Sequence, residues 1–420
     1  MTLYNRIKSI KNSKDGKRLA ENFVSLTLLQ ICSYIFPILT FPYLTRILGV
    51  EYFGAIAFAS VVVSYFQTFI DWGFFLISTR EIAKNRDNKQ IVNRIFSITT
   101  YSKLILLALG IVLLVILTLL VPIFREKIIL IWLTFLIIPG HIFFPEWFFQ
   151  GLERMKYLTL LNFVIKLTFT GLVFVFITKP EDYLYQPILI SLGYIVAAVI
   201  AMYIIIFRWK YSFVKVSIKE CITSIKECSD VFINTLMPNL YNSFSVILLG
   251  FWGGNTANGI LEGGSKFVTI SYNFLQVISR VFFPFLARKI EKHSLYVKIN
   301  IGCSSFIAIT LFIFAPQLVS LFLTDEFSNS IVVLRILAPS LIFTSLSSAY
   351  GANYLILQGR EQLARNISVI SCIIGFICAW ILVYCYSWLG AALAMLIGRV
   401  LLGTGQFLGA MIVKNTAKLK

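Results

Sequence analysis

The chain has 420 residues, 58% of them hydrophobic and only 13% charged, with a mean hydropathy of +0.84. A water-soluble domain of this size could not hide that much apolar surface, so the composition excludes a soluble enzyme and predicts an all-α, polytopic membrane protein. The net charge of +18 does not point to nucleic acid, because the 37 Lys and Arg residues lie in short segments between apolar runs.

Residues 1–20 are polar and basic (Arg6, Lys8, Lys11, Lys14, Lys17, Arg18). The apolar run after them is too long for a signal peptide and has no small-residue cleavage site, so it is expected to stay as the first span. Twelve spans are read, near 22–46, 53–77, 96–121, 128–149, 157–178, 187–207, 229–251, 261–286, 299–323, 331–357, 366–386 and 388–413. Each is long enough to cross about 30 Å of hydrocarbon. With the N-terminus inside, 27 Lys and Arg fall in cytoplasmic segments, four outside (Arg46, Arg125, Lys127, Lys179) and six within spans. That asymmetry predicts both termini in the cytoplasm. No outside loop exceeds about a dozen residues, which argues against an external catalytic domain.

The longest connection, 209–228, places Val214, Ile218, Cys221, Ile222 and Ile225 on one helical face. It reads as a cytoplasmic amphipathic linker lying on an anionic leaflet, between an N-terminal six-helix lobe (1–208) and a C-terminal one (229–420). The halves carry signs of duplication. Gln150-Gly151-Leu152-Glu153 follows span four, and Gln358-Gly359-Arg360-Glu361 follows span ten, an offset of 208. Both turns face the cytoplasm in this layout, which implies a parallel repeat about an axis along the membrane normal.

Polar residues inside the spans are the candidates for function. Glu262, Lys266, Thr269, Asn273, Gln276 and Arg280 recur at steps of 4, 3, 4, 3 and 4, so they share one face of span eight. A charged side chain near the bilayer centre costs about 2.5–3.5 kcal/mol, so such residues face a watery cavity or a partner. The ladder is either a path for an anion or a polar seam between packed helices. Span two carries a matching ladder, Ser60, Ser64, Gln67 and Asp71, and the two spans are equivalent under the repeat. Polar faces on equivalent helices point to a central cavity between the lobes. Asn234, Pro238 and Asn242 share a face of span seven, and Lys103, Lys166 and Arg399 add cations from spans three, five and twelve. Lys103 either lines the cavity or snorkels, and Arg335 reads as an outer anchor. Asp71 and Glu146, near inner helix ends, are counter-ions for basic loops or coupling-ion sites. His141 reads as a packed side chain. With two histidines, and seven cysteines without a CxxC, no metal site and no cofactor is expected.

Four stretches carry a resemblance: PYLTRILGVEYFGAIAFA (42–59), DWGFFLISTREIAKNRDN (71–88), PEWFFQGLERMKYLT (145–159) and VISRVFFPFLARK (277–289). In their order and spacing, with twelve spans, the whole chain resembles the Wzx-type polysaccharide flippases of the multidrug/oligosaccharidyl-lipid/polysaccharide exporter superfamily. The resemblance implies two six-helix lobes around a central cavity in the bacterial cytoplasmic (inner) membrane. It implies an undecaprenyl-diphosphate-linked oligosaccharide, such as an O-antigen unit, as substrate, and a polysaccharide polymerase as a candidate partner. Lys103, Lys166, Lys266, Arg280 and Arg399 are then expected to hold the diphosphate, and Asn273, Gln276, Gln67 and Asn242 to line the sugar route. Multidrug exporters of the same superfamily bind cationic drugs, and the cations in the spans argue against that alternative. A membrane polymerase is a further alternative, weakened by the short outside loops.

Overall fold

The structure is a computed structural model that describes the backbone of residues 14–288 and 290–418, and side chains over 35–232, 236, 243–279, 282, 286 and 290–415. Every regular element among the described residues is helical. In chain order the principal helices are α1 (Lys14–Asp71), α2 (Phe74–Asn85), α3 (Lys89–Leu120), α4 (Ile128–Phe135), α5 (Ile137–Phe143), α6 (Glu146–Gly151), α7 (Met155–Phe176), α8 (Tyr185–Tyr203), α9 (Ile218–Trp252), α10 (Gly254–Arg288), α11 (His293–Ile313), α12 (Ala315–Phe322), α13 (Ser330–Leu337), α14 (Ser340–Leu346) and α15 (Glu361–Lys418). A ten-residue π-helix, Ser347–Ile356, continues α14.

Eight helical segments among the described residues are long and apolar enough to cross a bilayer. Leu109, Val112, Leu113, Ile116, Leu119 and Leu120 of α3 all stay exposed. A continuous apolar surface of that kind is stable only against lipid tails. The protein is a multi-pass membrane protein. The count of eight differs from twelve for a local reason. Ile35–Asn85 holds the end of the span read at 22–46 and all of the one at 53–77, and Glu361–Asn415 holds those read at 366–386 and 388–413. A straight 58-residue helix such as α1 would be about 87 Å long, nearly three times the hydrocarbon thickness. It instead breaks at Gly49 (φ 69°), and α15 breaks at Ser387 (φ 50°). The spans read at 229–251 and 261–286 fall on α9 and α10, parts of which lie outside the described side chains.

The helices form two compact units, and the chain passes between them three times, after Tyr43, after Val62 and after Ile233. In the first unit the core is aromatic: Phe96, Phe144, Trp147, Phe148 and Phe149 are buried against Leu161, Ile165, Ala197, Ala201 and Ile205. The PEWFFQGLERMKYLT stretch therefore acts as a structural anchor. Its Arg154 stacks over Trp209 at 4.2 Å, and its Glu153 pairs with Arg86 at 2.6 Å.

The 209–228 segment is tied to α3 by several bonds. Val214 precedes the helix and donates its N–H to Ser97 Oγ at 2.8 Å. Glu220 pairs with Arg94 and accepts from Ser217 N at 2.7 Å. The Ser217 backbone bond, helped by the Ser217 hydroxyl and Arg94, holds the Glu220 carboxyl below the usual carboxylate range. Cys221 is buried while Ile218 and Ile222 stay exposed. The start of α9 therefore turns Cys221 inward and leaves two of the isoleucines of the sequence-read face uncovered.

The second unit includes Leu44–Val62, the stretch of α1 that carries the Gly49 break. Glycine packing is the cause. A Cβ on Gly54 would lie 1.9 Å from Asn255 O, and one on Gly259 would lie 2.0 Å from Val50 O. Small residues let the two helix backbones approach this closely, the usual device where lipid removes the hydrophobic drive for helix pairing. Glu326 caps the segment, accepting from Val50 N at 3.0 Å beside the positive-φ Gly49.

Two helix ends close with the same local geometry. Arg154 N bonds Phe149 O and Glu153 N bonds Gln150 O, each at 2.9 Å, with Glu153 at φ 58°. Arg360 N bonds Leu355 O and Gly359 N bonds Ile356 O, with Gly359 at φ 68°. These are the same left-handed C-terminal caps. The caps stand 206 residues apart, whereas the matched tetrapeptides stand 208 apart.

Candidate functional site

The α10 ladder stands on the face that its own unit leaves uncovered. Leu261, Gly264, Ser265, Val268, Leu275 and Ser279 form the buried stripe of α10. Opposite, Glu262, Lys266 and Gln276 are half-buried, and Thr269 and Asn273 are exposed. Lys266 Nζ reaches Glu262 Oε1 at 3.2 Å, an i,i+4 pair that neutralises both charges along the helix. The side chains of Arg280 and Asn242 lie outside the described residues. On α1, Phe58, Ala59, Val62, Val63, Phe66 and Ile70 are buried, while Ser60 and Ser64 are exposed and Gln67 and Asp71 half-buried.

The other cations occupy separate environments. Lys103 is 3% exposed, and its ammonium donates to Asp71 Oδ1 at 2.7 Å. His141 lies close enough to contribute to the field at Asp71, and its ring packs on Tyr194 with centroids 5.3 Å apart. Glu146 accepts from Asn162 Nδ2 at 3.1 Å and lies within electrostatic reach of Tyr194. The first unit thus holds a row of polar groups, Asp71 with Lys103 and Glu146 with Asn162, on either side of the His141–Tyr194 stack. In the second unit Arg399 donates to Ser340 Oγ at 2.8 Å, and Ser340 is fully buried. Lys166 is half-buried on α7. Arg335 is at an exposed position, its guanidinium 5.7 Å from the Phe312 ring.

The structure therefore brings Lys103 to Asp71 and Lys266 to Glu262.

Sequence reasoning missed a polar cluster in the second unit. Asn353, fully buried on the π-helix, donates to Ser279 Oγ at 2.7 Å and Tyr296 Oη at 3.1 Å, and Ser348 Oγ donates to Ser279 Oγ at 2.7 Å. Beside it a cavity of about 410 Å³ is walled by α10, the π-helix and α15. Gln276 of the ladder reaches this cavity, and so does Gln406, which is 3% exposed. Gln406 is a lone amide in an apolar run, the one trace in the sequence that could have drawn attention to the place.

A family described as "Polysaccharide biosynthesis protein" matches residues 19–290. The chain belongs to that family. Within the polysaccharide biosynthesis proteins, it is 29% identical over 409 residues to an Escherichia coli (strain K12) protein named "Putative O-antigen transporter", covering 96% of this chain and 98% of the relative. Among solved structures, the lipid II flippase MurJ in an inward closed conformation is similar with a TM-score of 0.73 at 15% identity, covering 93% of this chain and 87% of that one. An inward-facing multidrug resistance MATE family transporter of the MOP superfamily is similar with a TM-score of 0.69 at 15% identity, covering 94% and 99%. At that identity the two structures speak for the fold alone.

Proposed function

We propose that this protein is a flippase. It carries a polyprenyl-diphosphate-linked oligosaccharide, an O-antigen or similar surface-polysaccharide unit, from the cytoplasmic to the outer leaflet of the bacterial inner membrane by alternating access. The observation that carries the reading is the end-to-end similarity to the Escherichia coli protein named as an O-antigen transporter, within a family of polysaccharide biosynthesis proteins. In this reading twelve spans form two six-helix lobes joined by the 209–228 linker, with both termini in the cytoplasm. The ladder faces of α1 and α10 line the route.

The chemistry follows from charge. Cations set in apolar helices are costly, and each needs a reason to be there. A diphosphate supplies one: opposite charges about 4 Å apart gain about 4 kcal/mol at an effective dielectric of 20, enough to offset one buried cation. Lys166, Arg280 and Arg399 are the groups assigned to the diphosphate, with Lys266 passing its charge from Glu262 to the ligand as it goes by. Lys103 is committed to Asp71 and serves the lobe instead. The prenyl chain stays in lipid, and hydroxyls and amides along the route accept a sugar without strict readout. No step of this transport makes or breaks a covalent bond, so the protein acts as a carrier and not as an enzyme.

Reconstitution in proteoliposomes with a fluorescent polyprenyl-diphosphate oligosaccharide tests the reading. Its appearance in the opposite leaflet is expected, with loss on neutralising Lys166, Arg280 and Arg399 together. Unchanged transport in that triple variant would sink the diphosphate assignment. Failure to move the lipid, together with extrusion of a cationic dye, would turn the reading to a drug exporter.

A further inference from the structure

The cavity beside the π-helix lies wholly within the second unit. A π-helical stretch widens the turn and is frequently found at functional sites. Here it presents Ser347, Ser348 and Gly351 to the cavity at the point where α15 passes. The opposite wall carries Ser368 and Gln406, and Tyr272 and Gln276 close the α10 side. The groups are hydroxyls and amides, each able to donate and accept. Among the described residues of the lining, the charged side chains are Glu361 and Arg365, which balance each other. Such a lining suits neither a bare diphosphate nor an organic cation. It suits a neutral polyhydroxylated ligand.

Gln406 strengthens the case. Its Nε2 is fixed by Ala364 O at 2.9 Å and Ser368 Oγ at 3.2 Å, while its buried Oε1 has no donor from the protein. A buried acceptor without a donor costs about 1–3 kcal/mol, so a ligand hydroxyl that reached this oxygen from the cavity would be favoured. A glycine keeps the approach open: a Cβ at Gly351 would stand 3.2 Å from Gln406 Oε1. The volume is at the low end of the roughly 300–1,000 Å³ typical of small-molecule sites, room for one or two sugar rings and not for a whole repeat unit.

We infer that this cavity is a sugar subsite. It takes a neutral hexose or N-acetylhexosamine ring of the lipid-linked oligosaccharide while the diphosphate is held elsewhere. The inference rests on the flippase reading for its substrate, and stands apart from it as a binding site.

Two measurements on the full-length protein test it. In proteoliposomes, movement of a polyprenyl diphosphate bearing a neutral oligosaccharide is compared with movement of bare polyprenyl diphosphate, in the wild type, Gly351→Val and Gln406→Leu. The two variants are expected to slow the glycosylated lipid roughly five- to tenfold, the effect of one or two lost neutral hydrogen bonds, and to leave the bare lipid unchanged. Equal rates for the glycosylated lipid in wild type and variants overturn the inference, as does equal loss for both lipids. In detergent, saturation-transfer NMR reads the binding of free hexose and N-acetylhexosamine disaccharides at millimolar concentration. Signal in the wild type that is lost in Gln406→Leu, with the melting temperature preserved, supports the subsite even if neither lipid moves and the flippase reading fails. Absence of signal in the wild type, or signal displaced by inorganic pyrophosphate, overturns it.

Discussion

Lys103 and Asp71 form an ion pair within the first unit, 2.7 Å long, with the lysine almost wholly buried and the Asp71 side chain one-third exposed. The asymmetry decides what each substitution does. Asp71→Asn strands an ammonium among apolar helices and is expected to cost about 3–5 kcal/mol. Lys103→Met leaves a carboxylate that is one-third exposed, and is expected to cost less, about 1–3 kcal/mol. The double variant is expected to recover part of the loss, with a coupling of about 1–3 kcal/mol in thermal unfolding of the detergent-solubilised protein. Strictly additive effects would mean that the pair contributes nothing as a pair. The identity of both residues was legible in the sequence. Their partnership was not, since they lie 32 positions apart on different helices and periodicity sees one helix at a time.

At the scale of elements, the approach of Gly54 to Gly259 holds the 44–62 segment in the second unit. Alanine at Gly54 places a methyl 1.9 Å from Asn255 O and 2.5 Å from Gly259 N, both backbone atoms that cannot swing aside. Gly54→Ala is expected to destabilise by about 1–3 kcal/mol or more, and Gly259→Ala by a similar amount. Together they are expected to cost less than the sum, because either one already forces the helices apart. Gly171→Ala is the control. It has nothing within 4 Å of its added carbon, and a neutral or slightly raised melting temperature is expected. Melting temperatures of the four proteins check this, and a tolerant Gly54→Ala would mean that the contact is not the cause of the segment's placement.

At the scale of the molecule, the proposed cargo carries negative charge outward across an inside-negative membrane. Each charge moved gains about 2.3 kcal/mol per 100 mV, so a diphosphate can be driven by voltage without an exchanged ion. Asp71 is engaged by Lys103 and Glu146 by Asn162, which is consistent with structural rather than coupling roles for both carboxylates. Transport in vesicles is expected to survive collapse of ΔpH and to stop when the potential is clamped. Transport that follows ΔpH and ignores voltage would return Asp71 or Glu146 to the role of coupling site.

Composition and helical periodicity were enough to establish an all-helical membrane protein and polar stripes on α1 and α10, because lipid demands long apolar helices and a 3.6-residue period marks their faces. The quoted stretches also carried the resemblance to polysaccharide flippases, although what most of them do locally is build the fold, as the buried Trp147, Phe148 and Phe149 do. Three features depended on tertiary structure: which cation meets which carboxylate, which unit holds the 44–62 segment, and the cavity around Gln406. Each is a meeting of residues far apart in the chain, set by where helix backbones touch and where a π-helical turn leaves space. Pairings of that kind arise only when separate helices pack, and no pattern along a single helix encodes them.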